Sequence, residues 1–426
     1  MKNKLIASAA GISLITGMFL LSPVNSASAS APTQITLALW DEVQKPIIQQ
    51  SVDKFNISHK RTIHVTIVST PWSDFWTKLD TTLPTSKAPD VTWMNVFVRK
   101  YATGGVLEPL DKYIAKDGLN MNQYVQGRVA AFKIGANTYA LPKGMDAVFV
   151  AYNKAMFTQY GVAFPKKGWT WADMKAAAAK LLAAQQKAQA TTEYPIVMEL
   201  DAQPSWINFL HQDGADFLSP DKKTTNLGTP AGIATIQSLV DLMNAKLMAP
   251  YKVLSETKGT DIFLAGKAGM VFAGSWKAGV LDNSSLAQKK NIGLIQMPKR
   301  LLNNDSVAGG LGYAIAKNSP NKDAAWTFIK YITSHISMTN EAKHAIEFPA
   351  RADSQRAYSS GFKNIDGSVI VAATKTSFPY PHNGLPATLQ PMVDAIAQVL
   401  AGIAPAADTL KAAAAKSQTL LDAANK

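Results

Sequence analysis

Short apolar segments alternate with helical segments between residues 35 and 107, and this alternation limits the fold more than any other feature of the chain. The apolar segments repeat every second residue, as strands do, whereas the segments between them place apolar residues three or four positions apart. The strand segments are Ile35–Leu39, Ile63–Ile67 and Pro89–Trp93, and the helical segments contain Ile48, Val52 and Phe55 and run from Arg99 to Leu107. This order predicts an α/β fold with parallel strands.

Polar and aromatic residues follow the predicted strands directly. In parallel α/β sheets ligands bind beyond the carboxyl ends of the strands. The residues in those positions are Trp40, Asp41, Glu42, Trp72 and Asn95. We therefore expect a ligand site at this edge of the sheet.

The chain is too long for one ordinary domain. Its 426 residues suit two lobes of roughly 150–200 residues each. No low-complexity linker and no internal repeat separates two halves, so we expect the chain to cross between its lobes more than once.

Three further segments have clear local patterns. Ala268–Phe272 is apolar throughout and predicts a buried strand, after which Gly274 and Ser275 turn the chain toward Trp276. Two helices are predicted between Leu389 and Lys426, separated near Pro405, and the first has an apolar stripe of Val393, Ile396 and Leu400.

The N-terminus has the pattern of an export signal. Lys2 and Lys4 precede an apolar stretch from Leu5 to Leu21, and Ala27-Ser28-Ala29 has the small residues that signal peptidase requires. We predict a signal peptide over residues 1–29 and an exported protein that is extracellular, associated with the cell surface or periplasmic. The alternative is an uncleaved membrane anchor.

The net charge of +13 does not have the distribution of a nucleic-acid site. Nucleic-acid binders concentrate basic residues in stripes with aromatic residues between them, but the basic residues here are scattered, with pairs such as Lys166-Lys167 as the densest groups. We expect no nucleic-acid partner. The charge is suited to holding an exported protein at an anionic surface.

No pattern for catalysis, metal or cofactor binding has its required context. Cysteine is absent, which excludes disulfides, thiolate sites and a lipidated N-terminal cysteine. The six histidines never have ligand spacing, and the glycine-rich cofactor patterns are missing. Asp41 and Glu42 are adjacent on one loop, which is a poor arrangement for the two carboxylates of a glycoside hydrolase. We expect no cofactor, no metal and no enzymatic activity.

The nine tryptophans suggest a carbohydrate ligand. Indole rings stack on the C–H faces of sugars, while sugar hydroxyls need carboxylate, amide or guanidinium partners. Trp40 beside Asp41 and Glu42, and Trp206 close to Gln203, supply both kinds of group. Core packing is the alternative role for each tryptophan.

Several motifs in fixed order resemble the extracellular solute-binding protein family of carbohydrate ABC importers, typified by the maltodextrin-binding proteins. The motifs are Pro89-Asp90-Val91, Gly104–Leu110, Tyr139–Pro142 with Tyr152-Asn153-Lys154, Gly168–Met174, Phe263–Trp276, Gly309–Ala316 with Ala324–Tyr331, and Phe348–Arg351. The resemblance covers nearly all of the chain after the signal peptide.

The resemblance implies a two-lobed α/β fold of the periplasmic-binding-protein type, with a hinge that the chain crosses three times. One lobe would comprise residues 33–142 plus 310–346, and the other residues 143–309 plus 347–426. The solute would lie in the cleft between the lobes and be trapped when they close. The partners implied are a small carbohydrate and the membrane permease subunits of an ABC transporter, and we expect a monomer.

The resemblance also implies which residues contact the solute. Asp41, Glu42 and Asn95 carry the polar contacts of the strand-end loops, and Asp146 binds sugar hydroxyls. The remaining implied contacts are Trp276 as the stacking platform, Gln203 and Trp206, Gly310 at the second crossing, and Arg351 after the last one. Trp40, Trp72 and Tyr380 are further candidates by position.

Three functions stay open at this point. The first is a carbohydrate receptor. The second is a receptor of the same fold for another solute, such as a glycerol phosphate or a peptide, which would need cations in the cleft, where the sequence offers only Arg351. The third is a secreted carbohydrate-active enzyme.

Overall fold

Two separate β-sheets organise the part of the chain that the computed structural model describes, residues 31–425. The predicted signal peptide lies outside the described residues. Up to the first crossing the elements are β1 (Thr33–Leu39), α1 (Lys45–Ser58), β2 (Ile63–Ser69), α2 (Trp72–Thr82), β3 (Val91–Met94), α3 (Val98–Thr103), α4 (Asp111–Lys116), α5 (Gln126–Ala131), β4 (Lys133–Ile134), β5 (Asn137–Thr138) and β6 (Leu141–Pro142).

The chain then builds most of the second sheet and its helices. These elements are β7 (Gly144–Met145), β8 (Val148–Asn153), α6 (Lys154–Gln159), α7 (Trp171–Lys187), β9 (Tyr194–Met198), α8 (Trp206–Gln212), α9 (Pro230–Asn244), α10 (Tyr251–Glu256), α11 (Gly259–Leu264), β10 (Ala268–Gly274), α12 (Ala278–Asn283), α13 (Ser285–Gln288), β11 (Ile292–Gln296) and β12 (Ser306–Ala308).

The last part of the chain contributes to both lobes. Its elements are β13 (Gly312–Ile315), α14 (Lys322–Ile332), α15 (His335–Lys343), β14 (Phe348–Pro349), α16 (Arg356–Ser359), α17 (Ser368–Lys375), β15 (Ser377–Pro379), α18 (Pro386–Leu400) and α19 (Ala406–Ala424).

The first sheet has the order β2-β1-β3-β13-β6. β1 pairs in parallel with both β2 and β3, as the alternating sequence pattern predicts, whereas β13 and β6 are antiparallel additions. Ile48, Val52 and Phe55 of α1 are buried against this sheet, which confirms the predicted helix face. The core of this lobe therefore joins the N-terminal strands to β13, more than 200 residues later in the chain.

The second sheet has the order β11-β8-β10-β9. β10 is buried along its whole length, which confirms the predicted strand, and it lies between antiparallel β8 and parallel β9. α7 begins with a capping box in which Thr170 and Asp173 each accept the other's backbone N–H. This fixes the start of a long helix that packs on β9.

One local prediction is wrong and a second is only partly confirmed. α3 ends at Thr103 rather than Leu107, because Gly105 has φ +69° and turns the chain out of the helix. In α18 the predicted stripe residues Ile396 and Leu400 are buried, but Val393 is 36% exposed, and Leu389, Met392 and Val399 complete the buried face. The buried face packs on α9 and α19 and leaves Val393 at its margin.

The chain passes between the two sheets through three short segments. The first joins β6 to β8, the second joins β12 to β13 through Gly309 and Gly310, and the third joins α15 to β14. β7 of the first segment pairs with β14 of the third, through Gly144 and Met145 opposite Pro349 and Phe348. The bounds of the two rigid lobes stay a prediction: residues 33–142 plus 310–346 for one lobe, and residues 143–309 plus 347–426 for the other.

Candidate functional site

Aromatic side chains cover the carboxyl edge of β1. The ring of Trp40 meets those of Trp72 and Trp93 edge to face, with centroids 5.2 and 5.0 Å apart. Trp72 is the first residue of α2 and is 46% exposed, whereas Trp93 is fully buried. Trp40 is partly buried among these rings, and Trp72 is the most exposed ring of the three, so it is open to a stacking partner from solvent.

Two predicted polar contacts shape their own loops. The Asp41 carboxylate accepts the backbone N–H groups of Val43 and Gln44 at 2.8 and 3.2 Å, and the Asn95 side-chain oxygen accepts that of Phe97 at 2.9 Å. These bonds orient the chain at the starts of α1 and α3. The side chains of Asp41 and Asn95 can therefore offer only their remaining hydrogen-bonding positions to a solute.

Glu42 lies near the carboxyl end of β2, where the Ser69 hydroxyl group and Lys45 lower the pKa of its carboxylate. Its carboxylate pairs with Lys45 at 3.2 Å and is mostly exposed. Asp41 and Glu42 therefore do not form a pair of carboxylates in one cleft.

The crossings are held by a buried group of charges, which we call the crossing cluster: Lys143, Glu341, Glu347, Arg128 and Asp146. The Lys143 ammonium is 2.5 Å from Glu347, 3.3 Å from Glu341 and 2.9 Å from the side-chain oxygen of Gln44, and the residue is only 2% exposed. Burial alone would lower the pKa of Lys143, but the two glutamates outweigh it and raise the pKa. The ammonium stays charged and ties the first and third crossings together.

Asp146 and Gln203 meet at the second crossing. The Gln203 amide donates to the Asp146 carboxylate at 3.2 Å, and both side chains lie directly over Gly309, where a methyl group would come within 2.7 Å of each. Burial and the charge of Glu347 raise the pKa of Asp146 to about 7, against the opposing effects of Gln203, Arg128 and Lys143. Near neutral pH this carboxyl group can both donate and accept hydrogen bonds.

Gly310 allows the crossing segments to approach closely. It has φ +148°, and a side chain there would come within 2.3 Å of the Gly144 carbonyl oxygen and 3.2 Å of an Arg128 guanidinium nitrogen. Arg128 in turn donates to the Gly309 carbonyl oxygen at 2.5 Å. Other protein atoms therefore do approach the Gly310 backbone closely. A close approach of a solute to the same backbone stays a prediction.

Trp276 stands just beyond the buried strand β10, in a short 3₁₀ turn over Ser275–Lys277. Its ring folds over Gly274, so that a Cβ at Gly274 would lie 2.1 Å from a ring carbon. The ring is partly exposed and is not part of the hydrophobic core of the second lobe. Its position is suited to a stacking platform on the second lobe.

Three other residues predicted to contact the solute, Trp206, Arg351 and Tyr380, interact with neighbouring protein groups. Trp206 is 2% exposed and packs against Phe217 in the core of the second lobe, so its ring offers no free face. Arg351 pairs with Asp353 at 2.8 Å. Tyr380 is partly buried, and burial and the charge of Asp201 raise the pKa of its hydroxyl group, which places Tyr380 and Asp201 near each other on the second lobe.

The lobes also touch at a place that we call the mouth contact: Phe97, which directly precedes α3, and Lys100 of α3 lie against His382 and Gly384. The Lys100 N–H donates to the Gly384 carbonyl oxygen at 3.1 Å, and the rings of Phe97 and His382 are 5.3 Å apart. Gly384 has φ +80°, and a side chain there would collide with Arg99 at 2.4 Å. Burial and the charge of Lys222 lower the pKa of His382 to about 3, so this ring is neutral.

The sequence prediction did not include the cations and glutamates of the crossing cluster. Lys143 directly follows the Tyr139–Pro142 motif and Glu347 directly precedes Phe348, so each of two predicted crossings has a charged residue next to it. This position in the sequence could have indicated that Lys143 and Glu347 belong to the cluster. Nothing in the local sequence singles out Arg128 or Glu341, which reach the cluster from helices.

A surface groove of about 610 Å³ lies elsewhere, lined by residues such as Thr33, Lys112 and Asn321. It is at the amino end of β1, opposite the edge where the aromatic groups and the crossings lie. The strand-end rule therefore favours the inter-lobe region over this groove. Among residues 31–425, no helix is long and apolar enough to cross a bilayer.

Comparison with known proteins agrees with this architecture. The galactooligosaccharide-binding protein of Bacillus subtilis is 22% identical, over 77% of this chain and 76% of that protein. An ABC substrate-binding protein from Listeria monocytogenes, solved in complex with cycloalternan, superposes with a TM-score of 0.82 at 21% identity, covering 92% of this chain and 99% of its own.

A second solved structure, the GacH receptor of Streptomyces glaucescens, was determined unliganded and with acarbose. It superposes with a TM-score of 0.79 at 22% identity and covers 92% of this chain and 98% of its own. The family model for bacterial extracellular solute-binding proteins matches residues 41–338, which run from the β1–α1 loop through all of the second sheet to α15. Because this match spans more than half of the chain, the chain belongs to the bacterial extracellular solute-binding proteins.

Proposed function

We propose that the protein is the extracytoplasmic receptor of an ABC importer and captures a carbohydrate between its two lobes. The observation that carries this proposal is the pair of accessible indole rings on opposite lobes, Trp72 beside β1 and Trp276 beyond β10. Flat apolar rings from two sides suit the two C–H faces of a sugar. The names and bound ligands of the compared proteins support the same solute class.

The polar groups near the crossings suit sugar hydroxyls. Asp146 and Gln203 lie side by side, and the carboxyl group of Asp146 titrates near neutral pH. A group that both donates and accepts can bind a hydroxyl in either orientation. We propose that these two side chains form the polar floor of the cleft.

Thermal-shift measurements with monosaccharides and oligosaccharides test the proposal. A bound solute stabilises the folded protein by RT ln(1 + [L]/Kd), so a cognate sugar at one hundred times its Kd should add about 2.7 kcal/mol. A glycerol phosphate and a short peptide library serve as comparison solutes. Stabilisation by a comparison solute and by no sugar would contradict the carbohydrate proposal.

A turnover assay separates a receptor from a carbohydrate-active enzyme. Incubation with the sugars that bind should release no product, because Asp41 is engaged with its own loop and Glu42 with Lys45. Product release that is lost on replacing Asp41 or Glu42 would overturn the receptor assignment.

A further inference from the structure

Two amide side chains on α8 hold the backbone that leads into the second crossing. They are Asn208 and Gln212, and both are fully buried. The Asn208 side-chain oxygen accepts the Val307 N–H at 2.8 Å. The Gln212 amide donates to the Asp305 carbonyl oxygen at 2.9 Å. A helix places side chains four positions apart on one face, so the two amides reach the same stretch of chain.

These two bonds take the place of a neighbouring strand. β12 pairs along one edge with β15, and within residues 31–425 no strand pairs with its other edge. In an extended chain the C=O of one residue and the N–H of the residue two positions later point to the same side. The Asp305 C=O and the Val307 N–H are two positions apart, so α8 satisfies the open edge of this segment. The backbone that enters Gly309 is thereby fixed to α8.

Asn208 also holds the loop that precedes α8. Its side-chain N–H groups donate to the carbonyl oxygens of Gln203 and Ser205, at 2.8 and 3.0 Å. Together with the bond from Val307, these bonds engage both donors and the acceptor oxygen of the buried amide. Asn208 therefore joins the Gln203 loop to the second crossing, whereas the bond of Gln212 goes to the crossing segment.

The Gln203 side chain itself lies against the second crossing. Its amide nitrogen is 2.2 Å from the place where a Cβ on Gly309 would stand, and it donates to the Asp146 carboxylate at 3.2 Å. Gly309 is only two residues beyond Val307, whose N–H Asn208 binds. Asn208 thus fixes the backbone of Gln203 and also the backbone that the Gln203 side chain contacts. The position of the Gln203 amide depends on both of these bonds.

We propose that Asn208 is a positioning residue for solute binding, which holds the Gln203 amide at the polar floor and joins it to the second crossing. This inference rests on the proposed function, in which Gln203 and Asp146 bind solute hydroxyls. Asn208 is fully buried and acts through Gln203 rather than on the solute. Hydrogen bonds weaken steeply as their geometry departs from the optimum, so a small shift of the Gln203 amide is enough to weaken binding.

Calorimetric titration of a double-mutant cycle tests the proposal. The probe is the tightest-binding sugar of the thermal-shift panel, with maltotriose and galactotriose as its first members. Asn208→Leu keeps the branched shape of the side chain and removes its hydrogen bonds, and Gln203→Ala removes the amide that Asn208 positions. We expect each single substitution to weaken binding by about tenfold. In the Gln203→Ala background, Asn208→Leu should weaken binding further by less than about twofold.

Gln212→Met is the matched control. It keeps the length of the side chain and removes the bond to the Asp305 carbonyl oxygen, at the same edge of the same segment. It leaves the bonds of Asn208 to the Gln203 loop in place. We therefore expect it to lower the free energy of unfolding in urea, as Asn208→Leu does, but to leave the affinity within about twofold of the wild-type value.

Asn208→Asp serves as a second variant, in case Asn208→Leu does not fold. An aspartate keeps an acceptor for the Val307 N–H but places an oxygen where the amide of Asn208 donates to Gln203. Its loss of affinity should likewise fall below about twofold in the Gln203→Ala background, because the side chain that it misplaces is then absent.

The possible outcomes separate this inference from the proposed function. Equal losses of affinity from Asn208→Leu in both backgrounds, or equal losses from Asn208→Leu and Gln212→Met, would overturn the positioning role and leave carbohydrate binding intact. An unchanged affinity in Asn208→Leu would do the same. Stabilisation by glycerol phosphate or a peptide, and by no sugar, would overturn the carbohydrate function. The same cycle is then measured with that solute and still decides the role of Asn208.

Discussion

Replacing Trp276 with alanine should weaken solute binding far more than it weakens the fold. The ring lies over Gly274 outside the core of the second lobe and is partly exposed. A sugar that covers one face of an indole removes roughly 80 Å² of apolar surface, about half of what a tryptophan can bury. At about 25 cal/mol per Å² this contributes ~2 kcal/mol, and C–H contacts bring the expected loss of affinity to roughly ten- to a hundredfold.

Trp206→Ala is the matched control for this substitution. Trp206 is buried in the core of the same lobe, so its truncation should cost about 3–5 kcal/mol of unfolding free energy. Trp276→Ala should cost about 1–2 kcal/mol, because only part of its ring is covered. Chemical denaturation of the solute-free variants measures these costs, and calorimetric titration of the folded proteins measures affinity.

Gly274→Ala tests the same geometry from the other side. The added methyl group would lie 2.1 Å from the Trp276 ring and would displace the ring from its position over residue 274. The two substitutions act on one contact, so the double variant should bind no more weakly than Trp276→Ala alone. A loss of more than about 3 kcal/mol of stability in Trp276→Ala, with unchanged affinity in the folded fraction, would refute the stacking role.

Three further outcomes are expected. Lys143→Met should cost about 3–5 kcal/mol in urea denaturation, because it leaves two buried glutamates without a counter-charge, whereas Lys100→Met removes an exposed pair and should cost at most about 1 kcal/mol; equal costs would contradict the role of the crossing cluster. Because the pKa of Asp146 is raised to about 7, its proton is held by the folded protein but released by the unfolded chain above about pH 4. Unfolding free energy should therefore fall as the pH rises from 4 to 7, by at most about 4 kcal/mol from this group, and Asp146→Asn should flatten that fall; an unchanged slope would contradict the assignment. A saturating solute should lower the radius of gyration in solution scattering, and tight binding without compaction would contradict closure by hinge bending.

The sequence predicts the first lobe well because its signals are local. Alternation and helical spacing are properties of neighbouring residues, and β1, β2, β3 and α1 appear where those patterns place them. β13 joins the same sheet from a distant part of the chain, and this pairing leaves no local pattern. The family resemblance, not periodicity, implied that return.

The candidate site was predictable only where a side chain follows a strand or a motif. The sequence singles out Trp72 and Trp276 in this way, and both are partly exposed in the structure; their contact with a solute stays a prediction. Trp206 also satisfied the compositional rule, but the rule cannot tell which side of α8 faces the core. Arg128 belongs to an ordinary helix sequence, and only the folded chain brings its guanidinium group to the Gly309 carbonyl oxygen.

The mouth contact can change the affinity for every solute without changing which solute the protein prefers. Contacts such as the Lys100–Gly384 bond exist between protein groups and are the same for every solute. Apparent affinity equals the intrinsic affinity of the closed form multiplied by the fraction of molecules able to close. Changes at Gly384 would therefore scale the affinities of all solutes by a common factor and leave their ranking untouched, whereas changes around the aromatic rings would reorder them. A lineage adapting to scarce nutrients, or an engineer building a sensor with a chosen working range, could adjust the two properties one at a time.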